Sequence, residues 1–504
     1  MIARYCRIKQ FFRAIGDCRL EFIMMRSLYS GVSGLKVHQT KMDVIGNNIS
    51  NVNTIGFKSS QVNFSDILYQ TTSDATGPNP EARTAGINAK KIGLGASVSS
   101  ISTITTSGGS QRTDNALDIM IEGNQFFIVD KGGSNYFTKA GDFTVDASGL
   151  LCNTGGCKVM GWQVDPNAPT KCVHDRVTEL RVKSESTMYV PPEGTENVYF
   201  SGNIDYKDTQ LTSDTGKTTT LSFYDKLGQN YMAILNLKQP ADAENNGVYK
   251  VTITDILDAN RESIFVKKNV DENNNVTYSA SEITSFSFGG EEISVGEIDE
   301  ETGKVTIEGE GIDLKFNPSN GKFISVGAEE GAKSVSFSIN GGENSPFSEI
   351  DCDFSAMTMY ASSGSSTFLA QRGKLSDGTG AGKPQGNMTG LSVDSSGRIY
   401  GSYDNGDKKL LCQIAVAQFA NPAGLEAVGS SLFAATMNSG AFNGIGEDIS
   451  AVGGKMNTGV LEMSNVDLST EFTSIITTQR GFQANSRIIT TSDTLLEELI
   501  NLKR

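Results

Sequence analysis

The residues with the clearest potential for chemistry in this sequence are Cys152, Cys157, Cys172 and His174. Thiolate and imidazole groups are common zinc ligands, and the first two cysteines have an acceptable spacing for half of a zinc site. Cys172 and His174 are closer together in sequence than the second pair of ligands in a zinc site requires. A disulfide between Cys152 and Cys157 is also geometrically possible across a hairpin. Five cysteines follow residue 24, an odd number without the spacing of a disulfide framework, so we predict free thiols and no metal site.

A second candidate is a calcium loop, because Asp271, Asn273, Asn275 and Glu282 occupy the first, third, fifth and twelfth positions of that motif. Val276 stands where the sharp turn of the loop needs glycine. The flanking sequence is typical of strands instead of helices. We therefore predict an asparagine-rich hairpin without calcium.

Acid–base or nucleophilic catalysis has little support in the sequence. His38 and His174 are its two histidines, and neither can be combined with a serine and an aspartate into a convincing catalytic triad. The acidic run at 299–301 is typical of a solvated turn. We predict that the protein is not an enzyme and uses no cofactor.

Charge and composition limit the partners. The net charge of -15 over 504 residues favours solubility and argues against nucleic acid. No apolar run approaches the length of a membrane span, so we expect no membrane insertion. Residues 1–24 differ from the rest, because five basic and two acidic side chains give them a net charge of +3. We interpret them as an extension ahead of the natural start at Met24 or Met25.

The elements that organise the chain lie at its two ends. Apolar residues recur there at seven-residue intervals, which is typical of helices that pack along a common seam. The C-terminal set is Leu461, Leu468, Ile475, Phe482, Ile489 and Leu496, and the N-terminal set is Leu28, Leu35, Met42 and Ile49. Phe472 and Gln479 fall on the second core position, which is only partly apolar. So narrow a stripe predicts helices that become ordered when many copies pack together; the alternative is pairing of the two helices inside one stable monomer.

Asparagines cluster near the predicted end of the first helix, at Asn47, Asn48, Asn51 and Asn53, ahead of Gly56. Asparagine and glycine commonly end helices, because both tolerate left-handed backbone angles. A simple helix stop does not require four amides, which are mediocre helix formers. We therefore expect some of these amides to bond to neighbouring subunits.

The sequence between the helices is typical of short antiparallel strands separated by glycine and aspartate clusters. Asn320-Gly321 predicts a type I′ hairpin. We predict an α+β multidomain fold, in which the terminal helices form a coiled-coil-like base and two or three mainly antiparallel β domains are nested between them. The predicted segments after residue 24 are a helix and connector at 25–95, an inner β domain in two halves at 96–180 and 391–455, an inserted outer β block at 181–390, and a C-terminal helix at 456–504.

Two long motifs resemble the signatures of the bacterial flagellar rod and hook axial proteins. The N-terminal one is Arg-Ser-Leu-Tyr-Ser-Gly-Val-Ser-Gly-Leu-Lys at 26–36 with Gly-Asn-Asn-Ile-Ser-Asn-Val-Asn-Thr-Ile-Gly-Phe-Lys at 46–58. The C-terminal one is Ser-Asn-Val-Asp-Leu at 464–468 with Gln-Arg-Gly-Phe-Gln-Ala-Asn-Ser at 479–486, which includes Asn485. Shorter matches lie at 118–127, 140–143 and 421–425, so the resemblance covers all but the middle of the chain.

The resemblance implies a structural subunit that is exported by the flagellar type III apparatus and polymerises into a curved hollow tube outside the cell. Such a tube would act as a flexible joint that transmits torque from rod to filament. The implied partners are further copies of the chain, the distal rod, the cap and the junction proteins that connect the tube to the filament.

Two alternatives remain. A distal rod subunit would share the terminal motifs but lack so large an inserted β block. A secreted β-rich adhesin would explain the middle of the chain but not its paired ends.

Overall fold

The computed structural model describes residues 2–78, 85–165, 168–213, 215–240, 247–270, 276–299, 302–340 and 345–502, with side chains described from Met25 onward. The chain is predominantly β, with long helices near both ends. The helices are α1 (Ile2–Ser50), α2 (Glu185–Met188) and α3 (Leu468–Leu502). No helix within the described ranges is both long and apolar enough to cross a membrane.

Local capping explains where α3 begins. The Asp467 carboxylate accepts hydrogen bonds from the Ser469 N–H (2.9 Å) and the Thr470 hydroxyl (2.9 Å), as an N-cap residue does. At the other end of the chain, the backbone after α1 turns through Gly56, which has a φ of +66°.

The described residues between α1 and α3 form thirty-six strands. The first thirteen are β1 Ser60–Asp66, β2 Tyr69–Ser73, β3 Lys90–Gly93, β4 Ala96–Thr103, β5 Ser110–Arg112, β6 Ile119–Glu122, β7 Phe126–Lys131, β8 Ser134–Thr138, β9 Phe143–Val145, β10 Leu151–Asn153, β11 Lys158–Asp165, β12 Ala168–Cys172 and β13 Thr178–Glu179. The next sixteen are β14 Tyr189–Val190, β15 Asn197–Asn203, β16 Lys217–Tyr224, β17 Asn230–Lys238, β18 Val248–Leu257, β19 Val266–Val270, β20 Val276–Ala280, β21 Ser285–Phe288, β22 Glu291–Ile298, β23 Val305–Glu308, β24 Ile312–Phe316, β25 Phe323–Val326, β26 Ser334–Asn340, β27 Ile350–Thr358, β28 Leu369–Arg372 and β29 Gly386–Val393. The last seven are β30 Arg398–Tyr403, β31 Lys408–Ile414, β32 Val416–Ala417, β33 Glu426–Gly429, β34 Leu432–Ala434, β35 Lys455–Thr458 and β36 Val460–Glu462.

The first of two compact units contains both long helices. It comprises Met1–Ser184, Leu391–Gly401 and Lys409–Arg504. Its main sheet has the order β31-β11-β7-β8-β34-β33, so three strands from the N-terminal half of the chain lie between strands from the C-terminal half. The antiparallel pairs β1–β4, β2–β3, β6–β35 and β5–β36 form four smaller sheets. The core of the main sheet consists of Phe126, Ile128, Phe137, Trp162, Val177, Ala415, Ala417, Phe419, Leu425 and Phe433.

The second unit comprises Glu185–Gly390 and Ser402–Lys408. It contains a seven-stranded sheet, β23-β22-β21-β26-β27-β15-β28, and a five-stranded sheet, β16-β17-β18-β24-β25. Apolar residues from both sheets form one continuous core. β15 and β27 pair in parallel, and the other pairs of these two sheets are antiparallel. The short segment at 402–408 belongs here because the Tyr403 hydroxyl donates to the Thr187 carbonyl (2.6 Å).

Several sequence predictions differ from this fold. Strands begin at Ser60 and not after residue 95, and part of the predicted connector forms β3, which pairs with β2. The Asn320-Gly321 hairpin exists between β24 and β25, but Gly321 has a positive φ and Asn320 does not, so the turn is not type I′. The loop resembling a calcium site falls on 271–275, outside the described residues; β19 and β20 on either side form an antiparallel pair.

Candidate assembly site

The terminal helices α1 and α3 pack side by side and antiparallel. The Ser27 and Ser492 hydroxyls lie 3.3 Å apart, and the Asn48 amide donates to Glu471 Oε1 (2.8 Å). Residue numbers therefore rise along one helix as they fall along the other. In the structure, α1 pairs with α3 of the same chain, which is the alternative that the sequence left open.

Glycines allow the two helices to approach closely. A Cβ atom at Gly34 would lie 2.7 Å from the Asn485 side chain, and one at Gly481 would lie 2.7 Å from the His38 ring. Glycine inside a helix is unfavourable by roughly 0.5–1 kcal/mol relative to alanine. The close packing at these positions gives a reason for its use despite that cost.

Most of the predicted heptad residues are half-buried or exposed in the single chain. The residues that are buried along the two helices are Gly31, Val37, Ile45, Asn48, Thr478 and Ser492. The half-buried ones from the predicted set are Leu28, Leu35, Met42, Ile49, Ile475, Phe482, Asn485, Ile489 and Leu496. The exposed ones are Asn47, Leu468, Phe472 and Gln479. The fully buried positions are thus a mixture of small, polar and apolar groups, and most of the predicted apolar stripe is only half-buried in one chain.

Leu461 corrects the prediction of an uninterrupted C-terminal repeat. It lies in β36, where it pairs with Gln111 of β5, and it is buried. The cap at Asp467 starts the helix only after this strand. The seven-residue spacing from Leu461 to Leu468 is therefore coincidental, since a buried strand position and a helix position happen to be that far apart.

Asn48 and Asn51 of the asparagine cluster form hydrogen bonds within the chain, whereas bonds from the exposed Asn47 and Asn53 to neighbouring subunits stay a prediction. Asn48 is 1% exposed and exchanges two hydrogen bonds with the Ser60 backbone, at 2.9 and 3.0 Å. Together with its bond to Glu471, this amide joins α1, β1 and α3. The Asn51 amide donates to the Asn47 carbonyl (2.9 Å) and so closes the last turn of α1. Burial of Asn48 leaves a neighbouring subunit no access to its amide.

A buried ion pair anchors the strands next to the helices. Lys58 Nζ lies 2.6 Å from Glu462 Oε1, and both side chains are fully buried. The ammonium also donates to the Thr106 carbonyl (2.8 Å), and the Gly108 N–H donates to Glu462 Oε1 (3.0 Å). No protein group in the described part of the chain bonds to Glu462 Oε2. Loss of either partner would leave a buried charge uncompensated, which typically costs several kcal/mol.

A second buried lysine lies close to this pair. Lys139 is 1% exposed, and its ammonium donates to the Gly123 carbonyl (2.6 Å). Burial lowers the pKa of Lys139 to about 8; the Glu462 charge opposes this shift and the Lys58 charge adds to it. The Gly56 N–H donates to the Glu462 carbonyl (2.8 Å). We name Gly56, Lys58, Lys139 and Glu462 the polar junction.

The sequence did not identify the polar junction as a site. Lys58 and Gly56 lie in the quoted N-terminal motif, but Lys139 follows an ordinary strand, and Glu462 follows a leucine that fitted the helical repeat. The sequence did contain one signal for this site. In Val460-Leu461-Glu462, an acidic residue directly follows two apolar residues, shortly before the helix cap at Asp467.

The cysteines and histidines singled out in the sequence are not grouped as metal ligands in the described part of the chain. Cys152, Cys157 and Cys172 are free thiols, and the described residues contain no group of three potential metal ligands. The His174 ring stacks on Trp162 at 4.3 Å. His38 contacts Phe64 edge to face at 5.9 Å, and burial, with the nearby Lys41 charge, lowers its pKa. Each histidine ring therefore lies against one aromatic side chain, although His174 is exposed.

Comparison with known protein families matches the two ends and the inner strands separately. Residues 28–58 match the flagella basal body rod protein family, residues 120–196 match the flagellar hook protein FlgE/F/G D1 domain, and residues 457–502 match the flagellar basal body rod FlgEFG protein C-terminal family. The first and last segments contain the helices and residues of the candidate assembly site.

Similar individual proteins extend the likeness to almost the whole chain. The flagellar hook protein FlgE of Borreliella burgdorferi is 36% identical, and that of Treponema pallidum is 34% identical; each match covers 95% of this chain and all of the relative. The basal-body rod protein FlgG of Bacillus subtilis is 28% identical over the same share of this chain. A crystal structure of the Helicobacter pylori hook protein FlgE2 aligns with 70% of this chain and all of its own, at 13% identity and a TM-score of 0.33.

These matches point to a structural family, and no catalytic family is indicated. The hook proteins of Borreliella burgdorferi and Treponema pallidum are more identical to this chain than the rod protein is, and all three matches cover 95% of it. The chain therefore belongs to the flagellar hook protein family, whose members are structural subunits of the hook of the bacterial flagellum.

Proposed function

We propose that this chain polymerises through α1 and α3 into a curved hollow tube that serves as the flexible joint between rod and filament. In this proposal the paired helices of many copies build a coiled-coil-like inner base. The distal rod, the hook cap and the hook–filament junction proteins contact the two ends of the tube, and the type III apparatus exports the subunit.

The observation that carries the proposal is an uncovered apolar stripe on α3. Leu468, Phe472 and Ile476 follow one another at four-residue spacing, and Phe472 and Ile476 are 52% and 53% exposed. Burial of such side chains contributes about 25 cal/mol per Å² of apolar surface. A single copy leaves this surface in water, whereas a polymer can cover it in every subunit.

The half-buried positions support the same interpretation. Ile475, Phe482 and Ile489 are only half-buried in the single chain. A neighbouring helix placed against their exposed sides would complete their burial. Such contacts would connect one subunit to the next through the apolar stripe of α3.

Electron microscopy of the polymer purified from cells that produce this chain tests the proposal. A curved tube is expected. A straight rod would support the rod subunit instead, and the absence of any tube from cells that export the intact chain would contradict both.

A further inference from the structure

His38 lies in the contact between α1 and α3. A Cβ atom at Gly481 of α3 would be 2.7 Å from its ring, and Phe64 of β1 contacts the same ring edge to face at 5.9 Å. The imidazole of this α1 residue therefore lies between α3 and β1. Histidine is the side chain whose ordinary pKa, about 6.5, allows its charge to change between pH 5 and pH 8. A change of charge at this ring would act directly on the packing of the helix pair.

One nitrogen of the ring has no hydrogen-bond partner. His38 Nδ1 is buried, and no group among the residues that the structure describes bonds to it. A neutral imidazole carries a hydrogen on only one of its nitrogens, so Nδ1 can remain a bare acceptor. The imidazolium carries a hydrogen on both nitrogens. Protonation would therefore create a buried donor at Nδ1 that has no acceptor, which is unfavourable.

The charged groups of α1 do not favour a second positive charge beside this ring. Burial lowers the pKa of His38, and the Lys41 ammonium one turn further along α1 adds to this shift. Lys41 Nζ lies 5.6 Å from the centre of the same Phe64 ring that His38 contacts. Lys36 and Asp43 of α1 are exposed, so water and salt screen their charges.

The other elements packed against α1 supply no free carboxylate at this level. The charged side chains of α3 between residues 472 and 492 are Arg480 and Arg487. Glu471, nearer the start of α3, already accepts a hydrogen bond from an α1 amide. β4 contains no titratable side chain, and the single one in β1, Asp66, is hydrogen-bonded to the Tyr69 hydroxyl. An imidazolium at position 38 would thus be left without a counter-charge.

We propose that His38 is an acid-sensitive switch in the helix pair, whose protonation below about pH 6.5 weakens the contact between α1 and α3. In the unfolded chain this histidine takes up a proton near the ordinary value, before the folded chain does. The stability of the contact is therefore complete above that value and decreases as the pH falls, until the folded chain is protonated as well. Because the second unit contains no histidine, the switch acts on the first unit.

Urea unfolding of the full-length chain between pH 5 and pH 8 tests this switch. The helical circular dichroism signal follows α1 and α3, since the rest of the chain is predominantly β. The comparison is with His38→Phe, which keeps a ring between α3 and β1 but cannot be protonated. From pH 8 to pH 5, the unfolding equilibrium constant of the original chain is expected to rise at least about threefold more than that of His38→Phe.

The second histidine of the chain supplies a matched control. His174 belongs to the same unit but is exposed, so His174→Phe is expected to retain the pH dependence of the original chain. Nuclear magnetic resonance of the full-length chain with labelled histidines measures the switch directly. The resonance that remains in His174→Phe is that of His38, and it is expected to titrate below pH 6.5.

Two results would overturn the inference. One is an equal pH dependence of the helical transition in the original chain and in His38→Phe. The other is a titration of His38 at or above the ordinary histidine value, which decides the question even where His38→Phe does not fold. Neither result bears on the proposed function, which is tested by the shape of the polymer.

Discussion

Gly56 is a residue whose backbone angle and surroundings both exclude a side chain. Its φ is +66°, and an added Cβ would lie 2.6 Å from the Ala140 nitrogen and 2.8 Å from the Lys139 carbonyl carbon. Backbone atoms cannot move aside as a flexible side chain can. The residue therefore sets how closely the chain after α1 approaches the strands of the first unit.

Gly56→Ala is expected to destabilise the first unit by about 2–4 kcal/mol, since left-handed strain adds to a clash with backbone atoms. Gly132→Ala is the matched control: Gly132 also has a φ of +66°, but nothing lies within 4 Å of its Cβ position, so about 1 kcal/mol is expected. Urea unfolding of the purified chains measures the difference. Equal losses for the two variants would show that the Ala140 contact is unimportant.

Lys139 makes stability depend on pH. Its pKa is about 8 in the folded chain and is expected near the ordinary lysine value when unfolded. Between these values the unfolded chain binds more protons, so the stability contributed by this group rises with pH, by ~1.4 kcal/mol per unit. Below pH 8 the full cost of burying the charge is present.

Comparison with Lys139→Met isolates this contribution. The difference in unfolding free energy between the original chain and the variant is expected to grow in favour of the original chain from pH 8 to pH 10. Lys131→Met, at an exposed strand end, should show no such trend. A pH-independent difference for Lys139→Met would mean that the lysine remains charged throughout this range.

At the scale of elements, α3 has two faces with different tasks. One face contacts α1, as at Asn485, Ile489 and Ser492, and the other exposes Leu468, Phe472 and Ile476. Substitutions on the exposed face should therefore affect association without affecting the folding of a single chain.

Phe472→Asp is expected to prevent polymer formation while the unfolding free energy of the monomer changes by less than about 0.5 kcal/mol, as for other exposed positions. A carboxylate buried between subunits would cost several kcal/mol per copy. Thr473→Asp, at the next and also exposed position, is the control and should assemble. Electron microscopy and sedimentation measure assembly; normal tubes from Phe472→Asp would exclude this face from the contact.

The elements could be predicted from the sequence where periodicity or turn chemistry is strong. Both terminal helices follow from their repeats and flanking caps, and strands such as β6, β7 and β24 follow from apolar runs between glycines. β16 was missed because threonine and serine surround its core residues Leu221 and Phe223, whereas β17 contains an apolar run at 231–235 like those that predicted other strands. The polar junction could not be predicted, since it depends on contacts between residues about 400 positions apart, such as Lys58 and Glu462.

At the scale of the whole molecule, the second unit forms an insertion whose ends are adjacent. Tyr189 of β14 pairs with Asn387 of β29, and Val190 pairs with Gly386. The chain can therefore be closed at this point by a two-residue turn with little change in the flanking backbone.

Replacement of residues 191–385 by Asn-Gly is expected to give a folded chain that still forms tubes, because α1, α3 and the polar junction remain. The tubes should be straighter or stiffer than normal, since the outer contacts would be missing. Electron microscopy of the product measures curvature. A deletion variant that is stably produced and exported but never polymerises would show that the second unit contains an essential assembly contact.

The ion pair between Lys58 and Glu462 also constrains the order of folding. The two residues are 404 positions apart, so the chain must close a very long loop before this contact can form. If Tyr189 has already paired with Asn387, the loop between Lys58 and Glu462 is effectively 198 residues shorter. The entropic cost of closing that loop is then lower by about 0.6 kcal/mol. Lys58 has no counter-charge until β36 has been added near the end of the chain. A product that terminates before Glu462 would therefore retain an open and unstable N-terminal segment, exposed to proteolysis, whatever the state of its central strands.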